Sequence, residues 1–168
     1  MSAVITDLSV VEAISRIPDP EVPVISIADL GILRSIEVDE ADHRVVVTIT
    51  PTYSGCPAME AITSRIVFEA DRRGYAADVL TRLSPAWTTD WMSDEGKEAL
   101  RRFGIAPPGP VTHGHTGPVA VSLQKRVVTC PSCGSDDTTE IAHFGSTACK
   151  ALRRCESCRE PFDEFKAI

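Results

Sequence analysis

Two cysteine pairs near the end of the chain constrain its fold more than any other feature. They read Cys130-Pro131-Ser132-Cys133 and Cys155-Glu156-Ser157-Cys158, with 21 residues between them. Each pair fits one tight turn, and two such turns brought together present four thiolates as a tetrahedron about 2.3 Å from a zinc ion. Gly134 follows the first pair, where a knuckle turn often needs a positive φ. The intervening loop is slightly longer than the roughly 15–20 residues usual for paired sites, a length that a hairpin absorbs. A module of about 40 residues buries too little core to fold alone, so bound metal must supply part of its folding energy. The expectation is a closed structural zinc ribbon held by Cys130, Cys133, Cys155 and Cys158. Four cysteines also hold rubredoxin-type iron or an iron–sulfur cluster, and spacing alone leaves both metals open.

Composition sets the compartment. Five of the six cysteines fall in the last 39 residues, and in a reducing compartment such clustered thiols are metal ligands rather than disulfides. The first twenty residues contain Asp7 and Glu12 and lack a basic start followed by an apolar run, so no secretory signal is expected. No stretch approaches the ~18 uncharged apolar residues that span a bilayer. The 168 residues carry 17 Lys plus Arg against 24 Asp plus Glu, a net charge of −7. That acidity argues against nucleic acid and against an anionic membrane surface as partners. A soluble, cytoplasmic protein is expected.

The segment from Ala106 to Pro118 holds four prolines and three glycines and reads as a linker. It separates a domain over 1–105 from the cysteine module over 119–168. In the first domain Val10, Ile14 and Ile17 mark a short helix that Pro18 and Pro20 end. Leu33 to Val38 and Arg44 to Thr50 read as a hairpin. A second helix carries the stripe Ala58, Ile62 and Ile66 and opens at Pro57, where a missing N–H costs nothing. Ala77 to Leu83 predicts a third strand. Ser93 caps a last helix over Asp94 to Phe103, with Gly104 as its stop. The fold class is α+β: a small α-β-β-α-β-α domain followed by a zinc-ribbon-like β module. In that module Val119 to Thr129, Thr138 to Phe144, Ala148 to Arg154 and Phe162 to Ala167 are strand candidates.

Two further thiols need a reading. Cys56 stands at the expected N-cap of the helix that Pro57 opens, where free N–H groups and the helix dipole favour a thiolate. Thr52, Tyr53 and Ser54 add hydroxyls, and Gly55 permits a sharp turn. No His or Asp in the same turn supplies a base, so a protease-like role lacks support. The residues leave a reactive thiol and a small buried side chain equally open. Cys149 reads as a buried hydrophobe, with an extra ligand or an acceptor thiol as the alternatives.

Longer motifs carry a resemblance. Asp19-Pro20-Glu21-Val22-Pro23-Val24, then Asp29-Leu30-Gly31-Ile32, then Thr50-Pro51-Thr52-Tyr53-Ser54-Gly55-Cys56-Pro57 resemble the SufT-like family of iron–sulfur cluster assembly domains. Ser84 to Ser93, Phe144 to Leu152 and Glu160 to Asp163 extend the resemblance over nearly the whole chain, to the PaaD (PaaJ-type) subunits of the phenylacetyl-CoA epoxidase system. The resemblance implies that Cys56 handles iron or a cluster transiently, with Thr52, Ser54, Asp19, Glu21 and Asp29 as its supporting loops. The three acids also suit plain turn and cap chemistry. Trp87 and Trp91 fit either a core or a docking face, core being the simpler reading.

The expectation is a non-enzymatic accessory factor of phenylacetate catabolism that assists Fe–S cluster assembly in the oxygenase system. Its partners would be the ferredoxin-like reductase component or other epoxidase subunits, with a homo-oligomer left open. The alternatives are an oxygenase or redox component with its own iron site and a zinc-ribbon protein-interaction module.

Overall fold

The computed structural model describes residues 9–110 and 126–168. Contacts divide the chain into two compact units, Met1–Trp87 and Thr88–Ile168. Among the described residues no helix is long and apolar enough to cross a membrane.

The first unit is a three-stranded sheet with helices on one face. Helix α1 (Val10–Ser15) starts with a capping box: Ser9 accepts from the Glu12 N–H, and the Glu12 carboxylate accepts from the Ser9 N–H. Strands β1 (Leu33–Asp39) and β2 (Arg44–Ile49) pair antiparallel, and β3 (Ala76–Thr81) adds to β2 in parallel. A parallel neighbour requires a crossover, which helix α2 (Ala58–Asp71) provides. Val45, Val47 and Ile49 share one face of β2 and are fully buried, as are Ile62, Ile66 and Ala70 on the inner stripe of α2. The period-2 and period-3.6 patterns thus build one core. Trp87 closes it, its indole N–H donating to the Leu30 carbonyl at 3.1 Å, so the core reading of that residue holds.

The second unit carries helix α3 (Asp94–Phe103) and a four-stranded sheet of order β4-β7-β6-β5. Its strands are β4 (Ile105–Ala106), β5 (Thr138–Ala142), β6 (Lys150–Cys155) and β7 (Pro161–Phe165). Ser93 caps α3 through the Gly96 N–H at 2.9 Å, and Gly104 ends it at φ 90°. That left-handed turn sends the chain directly into β4, which runs parallel to β7.

The division therefore differs from the boundary expected after residue 105, because backbone pairing ties the segment following α3 to the cysteine module. Ala106 belongs to β4, and the rest of the expected linker beyond residue 110 lies outside the described residues. So does most of the strand expected from Val119; residues 126–129 are irregular.

Candidate functional site

The two knuckles are near copies of each other. In the first, the Cys130 N–H donates to the Ser135 carbonyl at 2.8 Å and the Gly134 N–H donates to the Cys130 carbonyl at 2.9 Å. In the second, Cys155 N–H reaches Glu160 O at 3.0 Å and Arg159 N–H reaches Cys155 O at 3.1 Å. The fourth residue after the leading cysteine is left-handed in both, with Gly134 at φ 76° and Arg159 at φ 68°. Glycine adopts that conformation freely, whereas an L side chain there costs about 1–2 kcal/mol. We expect Arg159→Gly to stabilise the second unit by about 1 kcal/mol, a rise in melting temperature of about 4–8 °C by calorimetry. The Arg159 contact to Glu156 at 3.3 Å is exposed, so its loss costs little. An unchanged or lower midpoint would show that no strain resides in this turn.

Ser135 and Ser157 hydroxyls join the knuckles at 2.8 Å, and the Glu156 N–H donates to Asp137 O at 2.8 Å. The four sulfurs converge: Cys130 to Cys158 is 3.8 Å, Cys133 to Cys155 is 3.6 Å, and all four lie within 4.8 Å of one another. A tetrahedral Zn–S site with bonds of about 2.3 Å has sulfur–sulfur edges of about 3.8 Å. The donor set therefore fits a tetrahedral metal ion. Cys130 and Cys155 are buried against Ala106, Val128 and Phe162, Cys158 is half-buried, and Cys133 faces solvent.

Electrostatics favour a cation there as well. The Cys158 N–H aims at the Cys155 sulfur at 3.5 Å and, with the Ser157 N–H, outweighs desolvation to bring that thiol down to about 6. Cys158 receives help from the Glu160 N–H, but burial and the neighbouring sulfurs of Cys133, Cys155 and Cys130 push it up to about 12. Cys155 is thus shifted toward the thiolate while Cys158 and Cys133 are shifted away from it, a balance that a bound dication would tip toward the thiolates. Cys149 stands outside this group. It is buried just before β6, its sulfur 3.0 Å from the Thr147 hydroxyl.

The Cys56 turn differs from expectation in two respects. Pro57, not Cys56, is the N-cap residue of α2, and it makes no side-chain cap bond. Cys56 lies one position earlier, its carbonyl accepting from the Met59 N–H at 3.3 Å. Its thiol is also shifted up rather than down. Burial is the largest cause, holding the thiol above its ordinary value; the Ala58 N–H and Tyr53 hydroxyl act against it, and the Glu21 and Asp19 carboxylates act with it. The residue is 8% exposed. Helix-start N–H groups are thus present, as the sequence suggested, but they lose to desolvation and nearby negative charge.

Those same carboxylates show that the fold brings Asp19 and Glu21 toward Cys56, 35 or more positions away in sequence. Asp19 is buried and caps its own turn, accepting from the Glu21 and Val22 N–H groups at 2.9 and 2.8 Å. Asp29 accepts from the Ser26 hydroxyl at 2.6 Å. These contacts are turn chemistry for both aspartates. Thr52 is buried and Ser54 exposed on the turn itself. Sequence reasoning missed the buried Arg153–Glu164 pair and Arg159. A signal existed for Arg159: it occupies the position that Gly134 holds in the first knuckle.

Two family models match the two ends of the chain. Residues 8–69 match a family model described as iron–sulfur cluster assembly protein, and residues 115–166 match one described as PaaD zinc beta ribbon domain. A protein of Escherichia coli K12, named as a candidate component of 1,2-phenylacetyl-CoA epoxidase, is 49% identical over 157 residues, covering 92% of this chain and 89% of its own. Among solved structures, a domain of unknown function (DUF59) from Bacillus anthracis is 26% identical with a TM-score of 0.49, covering 54% of this chain and 87% of its own. A conserved hypothetical protein from Thermotoga maritima is 29% identical with a TM-score of 0.44, covering 62% and 99%.

Proposed function

The chain belongs to the PaaD family of phenylacetyl-CoA epoxidase components, and on that premise we propose that it is a non-enzymatic maturation factor for the epoxidase system. It assists placement of an iron–sulfur cluster in a partner, the ferredoxin-like reductase component. Iron or a cluster is cargo, met by Cys56 within the assembly domain. The ribbon holds zinc permanently through Cys130, Cys133, Cys155 and Cys158 and serves as a rigid docking module.

One observation carries this reading: a thiol just before α2 that is 8% exposed, with the Glu21 and Asp19 carboxylates near enough to oppose its ionisation. A free thiolate would be oxidised or would bind soft ions at random. Burial and the two carboxylates oppose a bare thiolate here, and the same surroundings favour one neutralised by a positive charge. Binding then releases a proton, so iron affinity rises with pH toward the elevated titration range of Cys56.

The test is Cys56→Ala. We expect a folded protein with zinc retained, and a fall of at least tenfold in the rate at which apo-reductase gains its visible cluster absorption under anaerobic conditions. Cluster content of the reductase unchanged by the substitution would defeat the reading. A chain with a redox iron of its own would instead purify coloured, with stoichiometric iron that survives this substitution.

A further inference from the structure

The four sulfurs of the ribbon are alike in chemistry and unlike in access. Among the described residues Cys133 is the exposed cysteine, Cys158 is half-buried, and Cys130 and Cys155 are 1% and 0% exposed. Cys56 and Cys149 are buried as well. An oxidant arriving from solvent therefore meets Cys133 first. Bound zinc keeps this sulfur a thiolate, the form that attacks a peroxide. Across the site, on the second knuckle, the Cys155 sulfur lies 3.6 Å away. Cys155 is closed to solvent, but it needs no access of its own to attack an oxidised Cys133. An accessible thiolate poised beside a second thiol is the arrangement of a redox-sensitive pair. The sulfurs must close by about 1.5 Å to reach disulfide length, a movement shared between two side chains. The Ser135–Ser157 hydroxyl contact at 2.8 Å keeps the knuckles facing each other meanwhile.

We propose that the ribbon is a peroxide-sensitive metal switch, in which Cys133 is the site of oxidation, Cys155 resolves it and zinc is released. In the first step the Cys133 sulfur attacks one oxygen of hydrogen peroxide. The O–O bond breaks, giving a sulfenic acid and a hydroxide that takes up a proton to become water. In the second step the Cys155 sulfur attacks the Cys133 sulfur. The S–O bond breaks, and the departing hydroxide also leaves as water. Two electrons pass from two thiolates to one peroxide, and the zinc ion leaves because two of its four ligands have become a neutral disulfide. The ribbon then loses the folding energy that the metal supplied. A dithiol, itself oxidised to a disulfide, restores the two thiols for a new zinc ion. This inference rests on the zinc site and is independent of the role given to Cys56.

The test treats the full zinc-loaded chain with hydrogen peroxide, follows zinc with a chromogenic chelator and maps disulfides by peptide mass. One zinc ion should be lost per disulfide formed, that disulfide should join Cys133 to Cys155, and a dithiol with added Zn²⁺ should restore the metal. Cys133→His keeps a ligand that zinc accepts but removes the reacting sulfur. It should hold zinc and lose it to peroxide at least tenfold more slowly than wild type. Cys158→His, at a less exposed ligand, should release zinc at close to the wild-type rate. Should Cys133→His fail to bind metal, a limiting amount of a thiol-alkylating reagent on the zinc-loaded wild type decides the order of access, and Cys133 should be labelled ahead of the other five cysteines. Zinc retained in excess peroxide, release from Cys133→His as fast as from wild type, a first disulfide other than Cys133–Cys155, or another cysteine alkylated first would overturn the proposal.

Discussion

Cys155→Ser should release the metal and unfold the second unit while the first unit melts unchanged. Cys155 is fully buried, its sulfur is the one most readily ionised, and it sits in a small apolar cluster with Ala106, Val128 and Phe162. That cluster is too small to hold the strands by itself. Structural zinc contributes about 10–16 kcal/mol in comparable modules, as large as the roughly 5–15 kcal/mol by which whole domains are stable. The hydroxyl of serine is a poor substitute for a thiolate on a soft ion. The first unit's core is made of Val45, Val47, Ile49, Ile62 and Ile66 and contains no ligand. Calorimetry with metal analysis should therefore show one transition lost and one kept, and a chelator should reproduce the effect on the wild type. Protons compete for the four sulfurs, so metal retention should weaken as pH falls. A second transition that persists after the metal has gone would show that packing, not zinc, holds the ribbon.

Glu164→Ala should cost the zinc-loaded chain about 3–5 kcal/mol, because it strands a buried arginine. Glu164 is 1% exposed and accepts from Arg153 Nη1 at 2.9 Å, with Arg126 paired to its other oxygen. Arg153 is itself buried, and its remaining contacts, to Thr138 and Glu140, lie at 3.4 to 3.7 Å. None of these can replace a carboxylate at hydrogen-bond distance. The double change Arg153→Leu with Glu164→Leu should recover much of the loss, since removing both charges also removes their desolvation penalty. Urea unfolding of the three variants measures this. A single-variant loss below about 1 kcal/mol would mean that water reaches Arg153 and that the pair is effectively a surface one.

Much of the fold was legible because its signals are local. The stripe Ala58, Ile62 and Ile66 produced α2, the β-branched run after Arg44 produced β2, and Ser93 with Gly104 fixed both ends of α3. The four metal-site cysteines were legible for the same reason, since each pair lies within one turn. The strand that begins at Lys150 and the one that begins at Pro161 follow from the need to bring the second knuckle back over the first. Less legible was the allegiance of α3. Its sequence looks like the end of the first domain, but the pairing of Ile105 with Asp163 places it with the ribbon. Pairing partners 58 positions apart leave no trace in a local pattern.

Sequence alone determined the two cysteine pairs, most of the helices and strands, and a thiol at the head of α2, because these depend on residue type and short-range spacing. Only the tertiary structure decided the state of that thiol. Burial and the approach of Asp19 and Glu21 from a distant loop outweigh the helix-start N–H groups and shift it up. Desolvation and Coulomb energy depend on what surrounds a group in space, and that is set by the fold as a whole.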